Sequence, residues 1–166
     1  MATNVACTGF LDADRPRVNP GLVTEYKRSY QQMFAALAAL DELALDPTPD
    51  QLRVTHTRLR ITRASHESRI VFQKIMSILS ESSGSALARK VELLVQMHVE
   101  LREASRRHVS TWTRAQTKAD WAGYCRSSAE LRRRWRQMMD RERQLLHPLL
   151  ANSVHAGPHE THYTPR

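Results

Sequence analysis

Four histidines interrupt or flank two apolar stripes in the middle of this chain, and imidazole nitrogens are common metal ligands. His98 and His108 occupy two of the eight positions of an apolar stripe that repeats at helical spacing over residues 87–112. His56 and His66 lie along the edge of the preceding stripe. Each pair is separated by ten positions, which is about 15 Å along a helix, so one ion cannot bind both members. A shared site must therefore combine histidines from different helices.

The order of the predicted helices indicates which histidines can meet. Folding the third predicted helix back on the second about the short segment 81–85 sets His66 level with His98. The same fold sets His56 level with His108, and the fourth predicted helix adds Ser128 to that second level. The two levels are ten residues apart along each helix. The level of His98 has more groups that can bind a metal.

The level of His98 is the predicted metal site. Extending the same reasoning through the turn near Lys118 brings Met138 level with His98, with Glu142 one helical turn away. The turn near Asp46 brings Tyr26 alongside. The predicted metal ligands are His66, His98 and Glu142, with Tyr26 and Met138 as neighbours.

The elements that must hold these residues are four apolar stripes at helical spacing, separated by three short breaker segments. This pattern predicts an all-α protein, an up-and-down antiparallel four-helix bundle with flexible N- and C-terminal tails. We expect residues 1–18 to form a flexible arm, residues 19–151 the bundle domain, and residues 152–166 a flexible tail. That tail contains His155, His159 and His162.

Local signals place the helix ends. Asn19-Pro20 is a favourable start for the first helix, because Asn caps well and Pro suits the first helical position. Asp46-Pro47 ends that helix, and Thr48-Pro49 begins the second with a capping-box spacing. The third helix is predicted to reach about Ala115, and Pro148 is predicted to end or bend the fourth.

Composition limits the classes of function. The 166 residues suit one domain, and the 25 Lys and Arg residues give a net charge of +8, which favours anionic partners. Cys7 and Cys125 have no spacing typical of a disulfide framework or a thiolate metal site. No apolar run is long enough for a membrane span, and the N-terminus lacks a signal-peptide pattern. We therefore expect a cytoplasmic protein with no membrane association.

The last predicted helix resembles the hemerythrin-like, cation-binding four-helix bundles. Glu142 is followed by a short apolar run that closes with Pro148-Leu149-Leu150, at the spacing that the family uses. The segment from Trp112 through Tyr124 is also similar to that of bacterial relatives. The family places a histidine four residues before that glutamate, where this chain has Met138. The resemblance thus implies the scaffold with an incomplete centre, holding one ion of iron or another divalent metal, or none.

These observations predict a non-catalytic binding or sensing protein. No nucleophile motif, glycine-rich phosphate loop or positioned carboxylate pair is present, so we expect no enzymatic activity. The alternative is a basic helical adaptor that binds an acidic protein or nucleic acid through its arginine-rich second and fourth helices, although nucleic acid is not favoured. A protein partner or a homodimer stays open. A third hypothesis is a haem bundle with His98 and Met138 as axial ligands.

Overall fold

The structure, a computed structural model, describes residues 18–82 and 85–154. These residues form five helices: α1 (Pro20–Leu43), α2 (Gln51–Ser82), α3 (Ser85–Thr111), α4 (Arg114–Ala119) and α5 (Trp121–Val154). Within these two ranges there is no strand, so the all-α prediction is confirmed.

The four long helices contact one another in a ring. α1 packs against α2 and α5, and α3 packs against α5 and α2, while the short α4 packs on α5. The contact between α1 and α2 is the most extensive, and that between α2 and α3 is the least extensive of the four. Across the described ranges, no helix combines the length and apolarity that crossing a membrane would require.

The first helix forms as its sequence predicts. The Asn19 side chain accepts a hydrogen bond from the Gly21 amide at 2.7 Å, and Pro20 occupies the first turn. Six of the seven residues of the predicted apolar stripe are buried, and Leu22 is half-buried. The buried six are Tyr26, Ser29, Met33, Ala36, Leu40 and Leu43.

The second helix begins later than the capping-box spacing indicates. Its first free amides, those of Leu52 and Arg53, donate to the Asp50 carboxylate at 3.2 and 3.4 Å, so Asp50 and not Thr48 caps the helix. Asp50 is the residue immediately before Gln51 and can therefore reach these amides. The apolar residues that widen the stripe of α2 toward its histidine edge, Leu52, Leu59 and Ile70, are exposed.

The third predicted helix is divided. α3 ends at Thr111, and Thr113 begins α4 with a reciprocal capping box to Gln116. The Thr113 hydroxyl accepts from the Gln116 amide, which gives the chain a second helix start where the apolar pattern alone predicted continuity. At the other end, Pro148 lies inside α5 and does not end it.

The core consists of three apolar clusters and includes the start of the described region. Val18, at the end of the predicted arm, is buried with Val23, Phe72 and Leu146 in one apolar cluster. Two further clusters follow toward the opposite end of the helices. The rest of the predicted arm and the tail from residue 155, with its three histidines, lie outside the described residues.

Candidate functional site

The central polar contact joins α3 to α5. His98 Nε2 lies 3.3 Å from Glu142 Oε2, and the two side chains are 13% and 4% exposed. His98 occupies a position in the apolar stripe of α3, and Glu142 lies on the buried side of α5, between the buried residues Met139 and Leu146. The structure therefore brings together two of the three predicted metal ligands.

The third predicted ligand, His66, is not in this contact. The His98 ring stacks on Phe72, with the ring centroids 3.6 Å apart, so the residue of α2 level with His98 is six positions beyond His66. Six residues correspond to about 9 Å along a helix. His66 is exposed, and its Nδ1 lies 3.1 Å from an Arg69 nitrogen. The α2 residue stacked on His98 is thus Phe72 and not the predicted His66, because side-chain packing between α2 and α3 sets the register of the two helices.

The Tyr26 hydroxyl is a buried group without a hydrogen-bond partner. Tyr26 packs in the same apolar cluster as Phe72, the residue that stacks on His98. Burial is the main cause that raises the pKa of Tyr26 well above its ordinary value, and the charge of Glu142 raises it further. Tyr26, Glu142 and His98 therefore share one region of the interior, supplied by α1, α5 and α3.

Met138, the second predicted neighbour, is fully buried. It packs in a cluster with Met33, Leu101 and Trp135, one helical turn from Glu142. Its surroundings are apolar, as expected for a core methionine.

A second polar contact forms at the level of His108. The two ring nitrogens of His108 lie 3.1 Å from the hydroxyls of Ser127 and Ser128, so both nitrogens have partners. Burial, with the charges of Arg58 and Arg132 nearby, lowers the pKa of His108 from an ordinary 6.5 to about 4. The contact between His108 and Ser128 is confirmed, and a neutral imidazole occupies it at neutral pH.

His56 does not join the level of His108. Its side chain is exposed on α2. The residue of α2 that reaches this end of α3 is Arg58, which donates to the Trp112 carbonyl at 2.6 Å and to the Thr117 hydroxyl at 3.1 Å. The guanidinium also lies 5.6 Å from the centre of the Tyr124 ring.

An open cleft of about 460 Å³ lies between α2 and α3. Among the neighbouring long helices, this pair has the least extensive contact. His66 and His98 both line it. Its apolar lining consists of Phe72, Met76, Val95, Val99 and Trp135, and its basic lining includes Arg69 and Arg102. The volume falls in the range of small-molecule binding sites.

The described residues limit which metal centre is feasible. Residues 18–82 and 85–154 contain no group of three or more His, Cys, Asp or Glu residues that could hold a metal ion. The residues that could bind a single ion are His98 and Glu142. Tyrosine is not among the residue types considered above, and the Tyr26 hydroxyl, which has no hydrogen-bond partner, is a candidate third donor.

Several arginines of the predicted basic faces form ion pairs within the chain. Arg132 Nε lies 2.7 Å from Asp41 Oδ1, and Arg136 pairs with the other oxygen of Asp41. Arg133 pairs with Glu130 on the same helix. Arg132 could have been found in the sequence, because its spacing of four from Ser128 and three from Trp135 places it on the buried stripe of α5.

The chain matches no family model, and comparisons with curated proteins and with solved structures also give no match. The resemblance of the last helix to the hemerythrin-like bundles therefore stays a prediction.

Proposed function

We propose that this chain is an up-and-down antiparallel four-helix bundle of the hemerythrin-like kind, and a non-catalytic binding or sensing protein that holds one divalent metal ion. The bundle assignment is supported by the ring of contacts among the four long helices. We assign the ion, iron or another divalent metal, to Tyr26, His98 and Glu142.

One observation carries the proposal: the His98 imidazole and the buried Glu142 carboxylate lie 3.3 Å apart, and Glu142 is near enough to Tyr26 to affect its buried hydroxyl, which has no hydrogen-bond partner. Buried polar groups are normally hydrogen-bonded, so the free Tyr26 oxygen is an exception that a bound ion would remove. Two protein ligands of the same small ion lie about 3 Å apart when each bond is about 2.1 Å, and His98 Nε2 and Glu142 Oε2 are 3.3 Å apart. The donor set of one nitrogen and two oxygens suits iron, manganese or zinc.

Only three protein donors are available in this proposal, so some coordination positions of the ion stay open to small ligands. Open positions are what a sensing protein needs in order to exchange a ligand at the metal. His98 lines an open cleft, so one of the three proposed ligands lies next to solvent-filled space.

Metal analysis of the full-length protein, purified without an affinity tag, tests this function. We expect about one equivalent of metal per chain after reconstitution with Fe(II), Mn(II) or Zn(II), and a large loss in His98→Gln and Glu142→Gln. Tyr26→Phe is expected to weaken binding and to remove any visible absorption band of a ferric phenolate. Protein that binds none of these metals after reconstitution would refute the metal assignment.

Two matched variants separate this site from other histidines. His66→Gln removes an exposed imidazole that lies outside the proposed ligand set, and we expect it to bind metal like the natural chain. A variant with glutamine at His155, His159 and His162 tests the tail, which lies outside the described residues. Loss of all bound metal in this tail variant would contradict the proposed site. Circular dichroism of each variant checks that it is folded.

A further inference from the structure

We propose that the cleft between α2 and α3, here called the α2–α3 cleft, binds a small amphiphilic monocarboxylate with an alkyl or aryl body of about ten carbons. This goes beyond the metal-binding function and does not depend on it. The proposal follows from the shape of the cleft, its apolar wall and the sign of the charge around it.

The wall of the α2–α3 cleft leaves apolar surface in contact with solvent. Val95 and Val99 are 39% and 42% exposed, and they face a lining that also contains Phe72, Met76 and Trp135. Removing such surface from water is favourable by about 25 cal/mol for each Å² buried. A ligand with an apolar body gains from this surface, whereas a small hydrophilic anion does not.

The charge around the cleft is of one sign. Arg69 and Arg102 line it, and no Asp or Glu residue does. Within the ranges that the structure describes, neither arginine forms an ion pair with a carboxylate. This distinguishes the cleft from the larger depression between α3 and α5, whose lining includes Glu100 and Asp140.

Arg69 contacts two side chains that carry no negative charge. Its two terminal nitrogens lie 3.4 Å from Gln73 Oε1 and 3.1 Å from His66 Nδ1. These contacts orient the guanidinium without neutralising it. Arginine binds carboxylates well because its planar group matches their geometry. The exposed His66 therefore has a role in this inference as a positioning residue for Arg69.

The size of the cleft selects among anionic ligands. A volume of about 460 Å³ accommodates a molecule of about a dozen heavy atoms. We therefore commit to a monocarboxylate, with its carboxylate at Arg69 and Arg102 and its body against Phe72 and Val99.

Titration of the full-length chain with decanoate, in the presence of a chelator, tests the proposal. We expect saturable binding of one decanoate per chain, with a Kd of about 10–100 µM. Decyltrimethylammonium, which has the same alkyl body and a positive head group, should bind at least tenfold more weakly, and so should acetate, which lacks the body. Equal binding of either control probe, or the absence of saturable decanoate binding, would overturn the proposal.

Charge variants locate the carboxylate. Arg69→Gln and Arg102→Gln should each weaken decanoate binding about tenfold. Arg63→Gln on α2 and Arg89→Gln on α3 change the net charge equally at exposed positions outside the cleft, and should leave the Kd unchanged. An equal loss in these controls would show a general charge effect and refute the site.

A second pair of variants tests the apolar wall. Val99→Asp places a negative charge in the cleft and should abolish decanoate binding, whereas Val109→Asp, on the same helix at a 57% exposed position outside the cleft, should not. Both positions are exposed, so both variants should fold. The chelator makes these results independent of the metal assays, so either proposal can fail while the other stands.

Discussion

At the scale of single residues, the two histidines of α3 differ in their surroundings. His98 contacts a carboxylate and the face of Phe72. The ring nitrogens of His108 contact two hydroxyl groups, its ring centroid lies 5.5 Å from that of Tyr124, and two arginines are nearby. The environment of His98 suits a metal ligand. That of His108 favours the neutral imidazole.

His108 should make the stability of the protein depend on pH. Its pKa is about 4 in the folded chain and close to 6.5 when unfolded, so the folded state binds the proton more weakly. Its contribution is therefore complete above about pH 6.5 and is lost as the pH falls toward 4. We expect this loss to be about 2 kcal/mol, after a discount for partial exposure. Urea unfolding of His108→Gln should show a correspondingly flatter pH profile over this range.

The exposed His56 provides the matched control for this measurement. His56→Gln removes an imidazole from the same molecule without touching the buried contact. Its pH profile should follow that of the natural chain. A profile for His108→Gln as steep as that of His56→Gln would contradict the effect of burial.

At the scale of helices, the junction of α3, α4 and α5 is built from caps. Thr113 caps α4, and the Asp120 carboxylate accepts from the Gly123 amide at 2.7 Å at the start of α5. Because of these caps, two helices begin within a few residues of each other. Together the caps define where α4 and α5 begin.

Removing the cap of α5 should destabilise the protein. Asp120→Ala leaves the Gly123 amide without its acceptor, and we expect a loss of about 1 kcal/mol in the free energy of unfolding. Asp120→Asn keeps a side-chain acceptor and should lose much less. Chemical unfolding measures both, and equal losses would contradict the capping role.

Arg58 links α2 to the same junction. It donates to the Trp112 carbonyl and the Thr117 hydroxyl, and it lies over the Tyr124 ring. Arg58→Ala should lower the free energy of unfolding by about 2 kcal/mol. The exposed Arg60, two residues along α2, is the control, and Arg60→Ala should change stability by less than about 0.5 kcal/mol. Similar losses in the two variants would exclude a specific role for Arg58.

At the scale of the whole molecule, contacts between distant parts of the chain close the ring of helices. Asp41 on α1 pairs with Arg132 and Arg136 on α5. The Arg132 side chain is only 8% exposed, so the Asp41 carboxylate offsets the cost of burying its positive charge. The basic composition of the chain is therefore partly a structural feature.

Breaking this pairing should destabilise the closed ring. Asp41→Asn leaves the buried Arg132 charge uncompensated, and we expect a loss of about 2 kcal/mol, because Asp41 itself is partly exposed. Asp140→Asn removes a carboxylate from an exposed pair with Arg143 and should change stability by less than about 0.5 kcal/mol. Urea unfolding compares the two, and a loss for Asp41→Asn no greater than for Asp140→Asn would contradict this role.

Periodicity and local signals by themselves determined the all-helical class, the start of α1 at Asn19 and the buried stripe of that helix. These features depend on residues three or four positions apart, which sequence spacing records directly. The proximity of His98 and Glu142 could also be predicted from the sequence, because the apolar stripes of α3 and α5 are regular enough to be aligned with each other.

Only the tertiary structure decided which residue of α2 meets His98. The register of two antiparallel helices depends on how their side chains interlock, and a shift of six residues moves a ligand by about 9 Å without changing either apolar stripe. The same holds for Arg58 and Arg132, whose partners are distant in the chain. The placement of His66 in the cleft, the partnerless Tyr26 hydroxyl and the cleft itself are therefore consequences of packing.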